Sequence, residues 1–200
     1  MNSGVLIANL GAPLSDELLD ALRNAGREVA TTNSVKRAIE WIFAAPPDLA
    51  MIDVSAPGDD GIELGLRLRE HSHVPLVFLS DYADRSRVGK ACQLGALGYV
   101  VKPATATRVV AAVEAAIVLG GELARLSAAE VALASALTTL RTTHEAVGAL
   151  MERRRLNRHV AYDALRARAR AQRRTIAATA EEILVAVERL NLKCPPSRSE

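Results

Sequence analysis

The chain has 200 residues, of which 50 % are hydrophobic, 24 % charged and 3 % aromatic, so it is long enough for one or two domains with a real core and reads as soluble and globular. No run of 18 apolar residues occurs, which argues against a membrane span. The net charge of +2 hides an asymmetry: residues 1–140 carry 12 basic and 16 acidic side chains (−4), and residues 141–200 carry 13 basic and 7 acidic (+6). Two parts of opposite sign point to two tasks, and the basic part suits a polyanion.

In chain order, "VLIANL" (5–10), "REVATT" (27–32), "DLAMID" (48–53), "PLVFLS" (75–80) and "GYVVK" (98–102) are short apolar runs. Helical patterns separate and follow them: "LSDELLDALRNA", "SVKRAIEWIFAA", "GIELGLRLREH", "ADRSRVGKACQLG" and "ATRVVAAVEAAIVLG". This alternation predicts an α/β unit, a doubly wound parallel sheet of five strands with helices on both faces. Ligands gather at the carboxyl ends of such strands. Those ends bring Asn9–Leu10, Asp53, Ser80 and Lys102–Pro103 to one rim.

These residues resemble bacterial response-regulator receiver domains over roughly residues 4–119. "DVSAPGDDG" is similar to the phosphoacceptor loop, with Asp53, then Pro57 and Gly61. Ser80 matches the family's switch Ser/Thr, Tyr99 its aromatic, and Lys102–Pro103 its lysine and the cis-proline after it. The resemblance implies a flavodoxin-like fold, a phosphoacceptor at Asp53, and phosphate reading by Ser80, Tyr99 and Lys102. It also implies Mg²⁺ held by two acids after strand one, but Asn9 and Leu10 stand there. Mg²⁺ wants near-octahedral oxygen ligands, usually carboxylates, so loss of the site and no cofactor are expected. Two readings stay open: phosphorylation of Asp53, or a degenerate receiver in which Asp53 pairs with Lys102 and protein contact gives the input. The second suits "ANLG" better.

From Leu119 the apolar period changes. Leu119, Leu126, Leu133, Leu140 and Val147 repeat every seven residues, with Leu123, Leu137 and Met151 four after members of that series. The spacing predicts a coiled coil pairing two chains through Leu119, Leu123, Leu126, Leu133, Leu137 and Leu140, with Glu130 and His144 as polar seam residues. The alternative is a helix packed on its own first domain. Gly120–Gly121 is expected to be a hinge.

"MERRRLNRHVAYDALRARARAQRR", residues 151–174, holds nine arginines and no lysine. Asn157 is a plausible N-cap after a break at Leu156. Ala161, Leu165 and Ala169 make a narrow apolar stripe on the helix that follows, and a third helix is predicted over about 175–190. Gly148 is expected to allow close approach. The pattern resembles the ANTAR domain of bacterial antiterminators: Ala146, Leu150 and Met151 in its first helix, Ala161, Tyr162, Leu165, Arg166, Ala169 and Arg173 in its second, Ile176, Ala180 and Ile183 in its third. Receiver, coiled coil and ANTAR in this order resemble the AmiR-type regulators, and the resemblance implies RNA binding and transcription antitermination. Arginine forks grip phosphates and stack on bases, so Tyr162, Arg166, Arg170 and Arg173, with Arg154 and Arg155 on the preceding helix, are the candidate RNA-binding residues. Loops with splayed bases are the expected target, because side chains cannot read the A-form major groove.

The expected organisation is thus a receiver-like domain (1–119), a coiled-coil connector (120–144), an ANTAR-like module (145–192) and a flexible tail (193–200). His71, His73, His144 and His159 lack metal-ligand spacing, and Gly58 and Gly61 make no nucleotide-binding loop. No nucleophile–base pair is found, so no enzyme is expected. Cys92 and Cys194 read as free thiols in a reducing cytoplasm, and the first residues do not read as a signal peptide. The function expected is a signal-responsive antiterminator whose partners are leader hairpin RNA, a second copy of itself, and a sensor protein or histidine kinase. The alternatives are a DNA-binding two-component regulator and a protein-docking adaptor.

Overall fold

The computed structural model describes residues 4–10, 14–54 and 60–192. It divides into two units, Met1–Leu126 and Ser127–Glu200. In the first, strands and helices alternate: β1 (Gly4–Asn9), α1 (Asp16–Asn24), β2 (Glu28–Thr32), α2 (Val35–Ala44), β3 (Leu49–Val54), α3 (Asp60–His71), β4 (Leu76–Ser80), α4 (Arg85–Gln93), β5 (Gly98–Val101) and the start of α5 (Ala106–Arg154). The sheet is parallel throughout, in the order β2-β1-β3-β4-β5. β3 and β4 are buried along their whole length, which is why their sequences are continuous apolar runs rather than alternating ones.

Period-two geometry divides each strand between two cores. Leu6, Ala50, Ile52 and Phe78 face Ala38 and Ile42 of α2, Leu64 and Leu68 of α3 and Ala91 of α4. Val5, Ile7, Met51, Val77 and Leu79 face Leu18 and Leu22 of α1 and Val109, Val113 and Ala116 of α5. Ser15, Ser34 and Asp84 cap the N-termini of α1, α2 and α4, each accepting from a backbone N–H three residues on. On the second face Arg27 ties the end of α1 to α5: its Nε donates to Glu114 Oε1 at 2.7 Å and its Nη2 to Oε2. Those hydrogen bonds hold the Glu114 carboxyl below its ordinary range.

The expected hinge at Gly120–Gly121 is not there. α5 is one uninterrupted helix of 49 residues. Gly120 instead permits a close approach: a Cβ at that position would stand 2.2 Å from Pro75 Cγ, the residue leading into β4. Packing against the sheet end therefore outweighs the helix penalty of glycine.

In the second unit the end of α5 packs with α6 (Arg158–Ala171) and α7 (Ile176–Leu192). Their core is Ala146, Val147, Ala161, Leu165, Ala180 and Ile183, flanked by Leu150, Met151, Leu156, Ile176, Leu184 and Val187. Val147 and Met151, placed in the coiled-coil seam by their spacing, belong to this core instead. Gly148 makes no close approach; a Cβ there would meet nothing within 4 Å. Asn157 caps α6 as expected, its side chain accepting from Val160 N–H at 3.0 Å. The expected tail at 193–200, with Cys194, lies outside the described residues, as do Pro57 and Gly58. No helix among the described residues is long and apolar enough to cross a membrane.

Candidate functional site

The rim of the sheet is built by register. Asp53 at the end of β3 pairs beside Asn9 of β1, Val54 beside Ser80 of β4, and Ser80 beside Val101 of β5. Lys102 N–H donates to Ser80 O at 2.8 Å, and the Lys102–Pro103 peptide is cis. Asp53 is wholly buried, and Lys102 Nζ donates to both of its oxygens, at 2.6 and 2.7 Å. A buried carboxylate demands such a partner. Asn9 ends β1 at the same rim. Leu10 follows it, packed against the apolar core, its N–H donating to Asp53 O at 3.2 Å.

Mg²⁺ takes a near-octahedral set of oxygens; of the described residues here, Leu10 offers no side-chain oxygen, and Lys102 engages both oxygens of Asp53. Among the described residues no three His, Cys, Asp or Glu side chains gather to hold a metal.

Ser80 and Tyr99 meet at a residue whose part the sequence did not disclose. Ser80 Oγ accepts from Tyr82 N–H at 3.2 Å, while Tyr99 Oη donates to Tyr82 O at 2.9 Å. Tyr99 stacks on Phe78 with centroids 6.3 Å apart, and the Arg87 guanidinium lies 4.1 Å over the Tyr82 ring. The β4–α4 loop is therefore tied to the rim from two sides. Tyr82 stands two residues after Ser80, a spacing that could have marked it.

In the second unit the nine arginines of residues 151–174 separate into groups. Arg168 and Arg174 converge on Glu182 of α7, at 2.7 and 2.6 Å. The Arg168 hydrogen bond first, then the charge of both arginines, holds the Glu182 carboxyl below its ordinary range. Arg153 is also engaged. The other six, Arg154, Arg155, Arg158, Arg166, Arg170 and Arg173, are exposed, and their guanidinium groups have no hydrogen bond or ion pair among the described residues. Ala161, Leu165 and Ala169 form the buried stripe of α6. Tyr162, 40 % exposed, Arg166 and Arg170 follow one another at four-residue spacing along one flank of it, drifting by about 40° per step. Arg168 falls on the opposite flank, toward α7.

Two placements differ from the helical line drawn from spacing. α5 ends at Arg154 and α6 at Ala171, so Arg155 and Arg173 lie outside the helices, each with φ of 53°. Arg158, missed by the sequence reading, is the first residue of α6 and stands four before Tyr162.

Along α5, Leu119, Leu123, Leu126, Leu133, Leu137 and Leu140 are each more than half exposed. They form an apolar stripe that the described residues do not cover. Glu130 and His144 on the same stripe are exposed as well.

A family model described as the response regulator receiver domain matches residues 6–114, more than half of the chain. The chain belongs to the response-regulator receiver family. A second model, the ANTAR domain, matches residues 131–184, so this is a response regulator with an ANTAR output domain. The transcriptional regulatory protein PdtaR of Mycobacterium tuberculosis is 29 % identical over 181 residues, 90 % of this chain and 88 % of that one. The DNA-binding response regulator MtrA of Mycolicibacterium paratuberculosis is 31 % identical over 115 residues, 58 % of this chain and 51 % of its own. Among solved structures, the receiver domain of a modulated diguanylate cyclase from Desulfovibrio desulfuricans is similar with a TM-score of 0.52 at 27 % identity, covering 59 % of this regulator and 95 % of that chain. A response regulator from Thermotoga maritima shares the fold at a TM-score of 0.53 and 22 % identity, covering 58 % and 98 %.

Proposed function

We propose that this ANTAR-type response regulator is a non-enzymatic, cytoplasmic antitermination factor that grips the loop of a folded leader RNA with α6 and its flanking turns. One observation carries the reading: six guanidinium groups with no described partner lie along α6 and at the turns that lead into and out of it, on the helix that carries the exposed Tyr162, while Arg168 and Arg174 are spent on Glu182. Arginine supplies phosphate forks, and tyrosine supplies a platform for an unpaired base. Stabilising such a hairpin would keep a terminator from forming. The test is equilibrium binding of a labelled hairpin RNA and of a blunt DNA duplex across a salt series. Tight, salt-sensitive binding to the hairpin with weak binding to the duplex is the expected outcome. Preference for the duplex would favour a DNA-binding regulator, which needs a recognition helix in a major groove. Binding to neither at low salt would favour a protein-docking adaptor.

The exposed leucine stripe fits a second copy of the chain. Three-four spacing over Leu119–Leu140 is the pattern that seats one helix against another. Two copies would present two ANTAR modules to one RNA. Leu126→Glu with Leu133→Glu should give monomers in sedimentation equilibrium, where the unaltered chain sediments as a dimer. Dimers that persist in the double variant would remove this assignment.

The input fits contact with a sensor protein better than phosphoryl transfer. Phosphoryl transfer relies on metal ions to neutralise developing charge, and Lys102 already engages both oxygens of Asp53. The hydrogen bonds of Ser80 and Tyr99 to Tyr82 support a reading in which a change in the β4–α4 loop reaches the rim without a phosphate.

A further inference from the structure

Four helices of the described chain end in the same turn. In it a residue in the left-handed region is followed by a backbone N–H that reaches back five residues, closing the helix. After α1 and α4 the left-handed residue is glycine: Gly26 at φ 80° and Gly95 at φ 73°. The closing bonds run from Arg27 N–H to Leu22 O and from Ala96 N–H to Ala91 O, both 3.1 Å. After α5 and α6 the same position is filled by arginine. Arg155 and Arg173 both have φ of 53°, with Leu156 N–H donating to Met151 O at 3.2 Å and Arg174 N–H to Ala169 O at 2.9 Å.

A side chain in this conformation crowds its own carbonyl, which is why glycine is the ordinary choice. This chain uses glycine at two such turns and arginine at the other two. Three structural reasons for arginine can be weighed. Neither guanidinium has a hydrogen bond or ion pair among the described residues, so neither ties the turn to the described fold. Both residues are exposed, so burial of the stem is not the gain. Cations favour helix C-termini, but α5 already ends on Arg153 and Arg154, and α6 carries Arg168 and Arg170 in its last turn. Among the described residues, that leaves a use of the side chain outside the chain.

We infer that Arg155 and Arg173 each grip a phosphate of the bound RNA, at the two edges of its surface, and are kept as arginine against the backbone's preference for glycine. This rests on the RNA-binding reading above and adds which residues anchor the backbone of the RNA. They stand in the turns at the two ends of α6, whose 14 residues extend about 21 Å. That separation places them on phosphates well apart along one folded RNA, with the Tyr162–Arg166–Arg170 flank between them. The turns act as fixed grips at the edges, and the flank between them meets the loop.

The test uses the full chain and three variants, Arg155→Gly, Arg173→Gly and the two together. Thermal unfolding and binding of a fluorescein-labelled RNA hairpin are measured for each across a salt series. Glycine fits the turn, so the melting temperature of each variant is expected to match or exceed that of the unaltered chain. Hairpin affinity is expected to fall about tenfold per arginine, the loss of one charged hydrogen-bonding contact. In the double variant the slope of log affinity against log salt should shrink by about 1.4–1.8, two phosphates' worth. Unchanged affinity and slope in the double variant, with the unaltered chain binding the hairpin, would overturn the inference alone. So would a lowered melting temperature, which would assign the arginines to the fold. An unaltered chain that fails to bind the hairpin would overturn the RNA reading together with this one.

Discussion

Replacing Lys102 with alanine is expected to lower the stability of the receiver unit by about 3–5 kcal/mol, the range for removing one partner of a buried ion pair. Asp53 is 0 % exposed, and Lys102 supplies charged hydrogen bonds to both of its oxygens. Taking the ammonium away leaves a carboxylate in the apolar end of β3 without them. The reverse change is gentler. Lys102 is 23 % exposed, so in Asp53→Asn the ammonium can turn to water, and the amide keeps an oxygen to accept from it. The asymmetry is the signature: Lys102→Ala should cost clearly more than Asp53→Asn, and Asp53→Asn should leave hairpin binding intact if phosphorylation is not the input. The chain's one tryptophan, Trp41 in α2, reports the transition directly in urea unfolding followed by fluorescence. Equal, small losses for both variants would mean that the pair is not what holds the rim.

Leu165→Ala should unfold the ANTAR module while leaving the Trp41 transition in place. Leu165 is 0 % exposed and is, with Ile183, one of the two largest side chains among the six buried residues of that core, three of which are alanines. Truncating a buried leucine costs about 2–5 kcal/mol in lost burial and cavity, and a core this small holds little reserve. Far-ultraviolet circular dichroism should show helix lost well below the receiver's melting point, and hairpin binding should vanish with it. A variant that keeps its helix and its RNA affinity would show that the module draws its stability from elsewhere.

Much of the receiver was legible because its signals are local. Continuous apolar runs marked β3 and β4, and strand ends alone brought Asp53, Ser80 and Lys102 to one rim. The capping asparagine and the Ala161–Leu165–Ala169 stripe were equally readable, since both depend on spacing along one helix. What escaped depends on contacts between distant segments. Gly120, half of a pair that looks like a hinge, is a close approach because Pro75 lies beside it, while a Cβ at Gly121 would meet nothing within 4 Å. Val147 and Met151 kept the heptad period yet face α6 and α7, because the helix serves two packing partners in succession. Arg168 and Arg174 looked like their neighbours until Glu182 came within reach. The left-handed turns at Arg155 and Arg173 could not be foreseen, because the usual marker of such a turn is glycine.

The arginine flank of α6, which has no partner among the described residues, is proposed to hold folded RNA. The most direct measurement is the salt dependence of hairpin RNA affinity for the full chain and for Arg166→Ala with Arg170→Ala. Weaker binding is expected in the double variant, with a log–log salt slope smaller by about 1.4–1.8, the share of two lost phosphate contacts. An affinity and slope indistinguishable from those of the unaltered chain would contradict it.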